Sequence, residues 1–362
     1  MKKQKLNNLI TISGTAVLCV VMATLMSVGA LDRSNMLKGM LVLIGIHIIW
    51  ALSLNLTVGV LGELSLGHAG FMCVGAIFGG TVSQIIQYNA ADCPGWIRLI
   101  IALVCSGIMA AIFGILIGIP VMRLHGDYLA IVTLGFGEIM KSLANNIFLT
   151  IDKNGLHFGF TNPPANVDEA SAKQILKGSI GMQAPQDTNI WWVVVLLMIT
   201  LIVMMTFINS KSGRACMAVR DNYIAAQSVG INVTKFRLMA FTISAGIAGV
   251  GGALYAHSVP MIAFSKFDYN FSILILVFVV LGGLGSMRGS IIATIILYVL
   301  PEMLRKVNQN LANARMLIYA IILIALMLWK NAPFFIGLRE KLSAKFKRNK
   351  ENADITSGGA EV

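Results

Sequence analysis

Long apolar stretches joined by short polar connections run through most of the chain. A hydrocarbon core about 30 Å thick takes roughly 20 apolar residues per helix. On that ruler the stretches fall near 9–30, 37–60, 70–88, 98–120, 128–149, 190–208, 238–257, 270–286, 289–304 and 315–331. The pattern predicts an all-α fold, a polytopic transmembrane helical bundle of about ten spans. The fifth stretch is the most polar, with Glu138, Lys141, Asn145 and Asn146 inside it. Met1–Lys5 precedes an apolar run to Leu31 that is long for a signal peptide and lacks a small-residue cleavage site, so it reads as a first span.

Composition points the same way. Hydrophobic residues make up 57% of the 362 positions and charged residues only 12%. A soluble domain carries about 25% charged residues, and so few charges could not cover the exterior of so apolar a protein. Lipid removes the difficulty, because the outer surface can itself be apolar. The net charge of +12 sits in segments flanking the apolar runs, which fits membrane topology and not nucleic acid. Lys2, Lys3 and Lys5 at the start, Lys211, Arg214, Arg220, Lys235 and Arg237 between spans six and seven, and the basic run Arg339–Lys350 all fall on one face if there are ten spans. That face is expected to be cytoplasmic, with both termini on it. The near-neutral segment 150–189 falls opposite; Arg305, Lys306 and Arg315 are the exception to the bias. The expected organisation is a membrane domain over 1–338 and a basic, then polar, cytoplasmic tail over 339–362.

No catalytic constellation is present. The five histidines make no HxxxH or HxxEH spacing, no GxSxG occurs, and no CxxC pair exists among the five cysteines, so no metal or cofactor is expected. The dipeptide Gly-Lys is absent, which rules out a GxxxxGK[ST] phosphate loop. Small residues recur four apart inside spans: Gly75 and Gly79, Gly114 and Gly118, and in the seventh span Ala245, Gly249, Ala253 beside Ser244, Ala248, Gly252, Ala256. Such rows let helices approach closely.

Three tracts stand out. Ala51–Ala76 places Asn55, Gly59, Gly62, Glu63, Ser65, Gly67 and His68 between apolar stretches; it is either a plain turn or a helix interrupted at membrane depth. Gly126–Asn146 carries Glu138 and Lys141 three apart, on one helix face, as a structural pair or as part of a transport path. Ser212–Val233 reads as a short helix along the membrane face, either snorkelling at the interface or docking a partner.

These tracts, in this order, resemble the permease subunits of bacterial branched-chain amino-acid ABC importers of the LivM type. The likeness rests on Leu52–Ala76, GDYLAIVTLGFGEI at 126–139, the run from Ser212 to Ala256, LGGLGSMRGSIIA at 281–293 and Pro333–Leu338. It implies a non-enzymatic permease of the bacterial inner membrane that imports branched-chain or related amino acids by alternating access. It also implies two cytoplasmic ATP-binding subunits, a second related permease and an extracytoplasmic substrate-binding protein. The segment 212–233 is similar to the family's coupling helix, with Arg220, Asp221, Asn222, Ala225 and Gly230 matching. Asn55, Ser65, His68, Thr133 and Asn145 are the expected pathway residues. Glu63 replaces a common glutamine and 152–160 departs from a threonine-glycine-glycine tract, which bears on the substrate. The alternatives are a related permease for urea, short amides or sugars, and an ion-coupled secondary transporter.

Overall fold

In a computed structural model, residues 35–307 are described, apart from 91, 125, 153–154 and 165–171, together with Leu317 and Ile321. The chain divides into two units at Tyr298–Val299. All the elements below belong to the first unit, save the end of the last helix, which runs on to Val307. The expected spans at 9–30 and 315–331, the Pro333–Leu338 motif and the basic tail lie outside the described residues.

Every other expected span is a helix. In chain order they are α1 (Asn35–Asn55), continued by a π-helical turn (Leu56–Leu61), α2 (His68–Asn89), α3 (Gly95–Val121), α4 (Asp127–Asn146), α5 (Ile190–Asn209), α6 (Lys211–Asp221), α7 (Tyr223–Ser228), α8 (Val233–Ala256), α9 (Tyr269–Gly282) and α10 (Met287–Val307). Among the described residues five stretches, Gly39–Leu61, α2, α3, α5 and α8, are long and apolar enough to cross a membrane. The architecture is that of a polytopic helical membrane protein.

Burial runs opposite to a soluble bundle. On α3 the large aliphatic side chains Ile101, Val104, Ile108, Ile112, Ile115 and Ile119 are exposed, while Ala102, Ser106, Ala110, Gly114 and Gly118 are buried. Between helices in lipid there is no hydrophobic drive, so close packing of small residues must supply the contact. The small-residue rows do this. A Cβ on Gly75 of α2 would overlap the Gly249 carbonyl of α8, one on Gly252 would overlap the Met72 carbonyl, and one on Gly114 would meet Ala245. Helices α1, α2 and α8 form the core, with Trp50 fully buried and its Nε1 donating to the Ala248 carbonyl at 3.2 Å.

Three features differ from the sequence expectation. The all-α reading misses a three-stranded antiparallel sheet of order β2-β1-β3, formed by β1 (Ile147–Asp152), β2 (Gly155–Phe160) and β3 (Lys173–Lys177). The expected span 128–149 therefore ends at Asn146, where IFLTID, with β-branched Ile147, Thr150 and Ile151, leaves the helix and pairs with β2 and β3. The expected single helix in 212–233 is two, α6 and α7, broken at extended Asn222, whose Oδ1 accepts from Ala225 N at 3.1 Å and caps α7. Finally, α9 has only 14 residues, about 21 Å of rise, less than a hydrocarbon core. Its first N–H, from Tyr269, donates to Glu138 Oε1 at 3.0 Å, and Glu138 lies near the middle of α4. The non-helical backbone before it is anchored by buried Ile262, Phe264 and Phe267, and Met182 and Ile262 exchange hydrogen bonds of 3.0 and 2.9 Å.

Candidate functional site

The sheet occupies one end of the bundle and α6–α7 the other, where Arg123, Lys211, Arg214, Lys235 and Arg288 also gather. At this basic end the chain leaves α1 through the π-turn. Gly62, at φ +82°, ends the turn in the left-handed conformation glycine favours. The segment 62–67 then crosses to α2.

Four of the five expected pathway residues sit on or around this crossing. Ser65 is buried with its Oγ unpartnered, and Leu66 N donates to Thr133 Oγ1 at 3.1 Å. A Cβ on Gly67 would collide with the Thr133 carbonyl, so α4 touches backbone here. His68 opens α2, its Nε2 2.6 Å from Ser53 Oγ. Asn55 ends α1; its Oδ1 accepts from Gly285 N at 2.9 Å and its Nδ2 donates to Ser290 Oγ at 3.2 Å. The structure thus places buried Ser65 and His68 on one crossing that Thr133 meets through Leu66 N and Gly67, and ties Asn55 to the turn between α9 and α10. Asn145 is apart from them, twelve residues beyond Thr133 along α4, about 18 Å; its Oδ1 is buried and unpartnered.

Below the cluster lies a cavity of ≈ 260 Å³ between the crossing, the start of α4, α6–α7 and the start of α8, lined among others by Glu63, Asp127, Val219, Arg220, Tyr223 and Arg237. Its wall holds an ion pair between buried Arg237 Nε and Glu63 Oε1. Arg237 also donates to the carbonyls of Met122 at 3.1 Å and Leu124 at 3.3 Å. Those carbonyls follow the C-terminus of α3, where a cation is favoured. Burial raises the Glu63 carboxyl above its ordinary value, and Arg237 only partly opposes this. Cys216, also buried, has its thiol pushed up to about 11 by burial, which keeps it protonated and inert. Sequence reasoning saw Glu63 and Arg237 separately; nothing in a separation of 174 positions signals that they pair.

The residues expected to couple to a motor differ in their contacts. Arg220, itself partly exposed, reaches the bundle with one nitrogen: its Nη1 donates to the Gly59 carbonyl at 2.7 Å, while its Nε and Nη2 reach Asp221 Oδ1 at 3.2 and 3.1 Å. Asp221, Asn222, Ala225 and Gly230 are exposed. With them the sequence reading missed an apolar tip, since Tyr223, Ile224 and Val229 are also exposed, Val229 at 75%. The expected pair Glu138–Lys141 forms across one turn of α4.

Residues 36–326 match the family described as the permease component of the branched-chain amino acid transport system. The chain is 36% identical over 315 residues, 83% of its length and 70% of the relative's, to the high-affinity branched-chain amino acid transport system permease protein LivM of Escherichia coli. It is 32% identical over 341 residues, 91% and 75% of the two chains, to the Salmonella typhimurium LivM. Against the LivH permease protein of Escherichia coli the identity is 34% over 112 residues, 30% of this chain and 34% of the relative. With a small-residue bundle, a polar crossing under its core and a paired helical segment at its basic end, this chain belongs to the family of branched-chain amino acid transport system permease components.

Proposed function

We propose that this amino-acid importer permease works in the bacterial inner membrane on branched-chain amino acids, paired with a second related permease. Two ATP-binding subunits would press on the basic, cytoplasmic end, and a soluble binding protein would deliver substrate at the sheet end. The observation that carries this reading is the α6–α7 segment. It packs on the basic end of the bundle through Gly213, Cys216, Val219 and Ala226, exposes Tyr223, Ile224, Ala225 and Val229 to solvent, and reaches the Gly59 carbonyl through Arg220. An apolar tip at the membrane face suits a groove on a soluble subunit. The likeness to both LivM and LivH, each a permease protein of a high-affinity branched-chain amino acid transport system, supports a pair of related permeases. The wider reading of ten spans with both termini cytoplasmic rests on the charge bias.

In this scheme Ser65, His68 and Thr133 line the path near the crossing, with Asn55 and Asn145 at its margins. Binding of ATP by the partners would move α6–α7 and switch the bundle between outward- and inward-facing forms, each with a different affinity for substrate. The test is leucine uptake in cells lacking this chain. Wild-type protein restores it; a variant with Ile224→Asp and Val229→Asp inserts normally but loses the ATP-binding subunits on affinity purification. Uptake that persists without those subunits and collapses with an uncoupler would instead make the protein an ion-coupled carrier.

A further inference from the structure

Arg220 lies on the segment expected to meet the motor, yet its guanidinium turns the other way. Its Nη1 donates at 2.7 Å to the carbonyl of Gly59. That carbonyl belongs to the last turn of a helix, whose final carbonyls have no partner within the helix and carry the negative end of its dipole. A guanidinium holds such an acceptor through a planar, fixed array of donors. Arg220 therefore caps α1 from a different part of the chain, 161 residues away.

The capped turn is not ordinary helix. Leu56–Leu61 is π-helical, a form that is rare and usually confined to functional places. At Gly59 two backbone segments meet beside a polar side chain: a Cβ there would overlap both the backbone N of Gly285 and Asn55 Oδ1. Gly285 N in turn donates to Asn55 Oδ1 at 2.9 Å, and Asn55 Nδ2 donates to Ser290 Oγ at 3.2 Å. A Cβ on Gly285 would also come within 3.8 Å of Arg220 Nη1. Thus α6, the end of α1 and the α9–α10 turn share one polar joint.

We propose that Arg220 is a positioning residue that transmits, not a docking contact. Displacement of α6 pulls the Gly59 carbonyl, shifts the π-turn and carries the α9–α10 turn with it through Asn55. This deepens the importer reading above and rests on it. The route differs from the covalent one through Ser210 into α5, and it reaches the core helix α1 directly.

The experiment uses the complex of this chain with its second permease and ATP-binding subunits, reconstituted in vesicles with the binding protein, and reads three quantities: retention of the ATP-binding subunits, ATP hydrolysis and leucine uptake. Arg220→Ala is expected to keep the first two close to wild type and to lower uptake per ATP hydrolysed by roughly tenfold. Arg220→Lys, with one donor still in reach of Gly59, is expected to fall between. Asn55→Ala is expected to uncouple in the same way, and the double variant to be no worse than the worse single one, as for two links in series. The Arg220 side chain is 38% exposed, so truncation opens no large void. Wild-type uptake per ATP in Arg220→Ala, loss of subunit retention in that variant, or losses that multiply in the double variant would each overturn the inference alone. Failure of the wild-type chain to retain the ATP-binding subunits would overturn the importer reading and this inference with it.

Discussion

Arg237 shows what one buried charge requires. Its guanidinium neutralises Glu63 and closes two carbonyls at the end of α3. Arg237→Ala leaves a carboxylate and both carbonyls without it, and removing one partner of a buried pair costs about 3–5 kcal/mol. The expected outcome is a large drop in the detergent unfolding temperature. Glu63→Gln is milder, since an amide oxygen can still accept from Arg237. It also reports on pH. Because burial raises the Glu63 pKa above about 4.5, the ionised form is disfavoured in the fold, and that cost is absent below the unfolded value and grows as pH rises above it. The stability of Glu63→Gln relative to wild type should therefore increase with pH across the weakly acidic range; a constant difference in thermal unfolding would contradict this. No sequence pattern announces these roles. Sequence marks Glu63 as an odd residue beside a glycine, and only the fold brings α8 beneath it.

At the scale of elements, packing separates glycines that look alike in the sequence. Gly75 and Gly252 face backbone of the neighbouring helix, which cannot step aside. Gly75→Val and Gly252→Val are expected to abolish monodisperse protein in detergent chromatography. Gly135 of α4 has no atom within 4 Å of a Cβ position. Gly135→Ala should therefore keep the fold and gain about 0.5–1 kcal/mol from helix propensity, read as a small rise in unfolding temperature. The four-residue spacing in α2, α3 and α8 was legible in the sequence because helix periodicity alone puts those residues on one face. The sheet was not, because a β-branched run directly after a span continues its apolar pattern, and only its pairing with β2 and β3 distinguishes it. The break between α6 and α7 was missed for a related reason: Asn222 reads as one polar residue among several until its extended backbone is seen.

For the whole molecule, the sequence carried the membrane class, the order of the central apolar helices and the separation of a basic end from a near-neutral one, since all three follow from apolar length and charge. It carried less about the candidate site, because the crossing is held by tertiary contacts, His68 to Ser53 of α1 and Leu66 N to Thr133 of α4. The orientation has a direct check. In a background without native cysteines, Val229→Cys and Leu284→Cys, both exposed at the basic end, are expected to react with an impermeant thiol reagent only from the cytoplasmic side. Phe158→Cys on β2, exposed at the sheet end, should react only from outside. Labelling of Val229→Cys and Phe158→Cys from the same side would refute the two-ended arrangement.

The brevity of α9 bears on how the protein is made. A segment of 14 residues is too short to be committed to the bilayer on its own, and its opening amide is satisfied by a carboxylate of α4 made more than a hundred residues earlier. With α10 following after a four-residue turn, Gly283–Ser286, the two enter as a hairpin that needs an already folded seat. Release of α9 and α10 from the ribosome is therefore expected onto a partly assembled bundle, and a defect in α4 would surface as rejection of a segment far downstream.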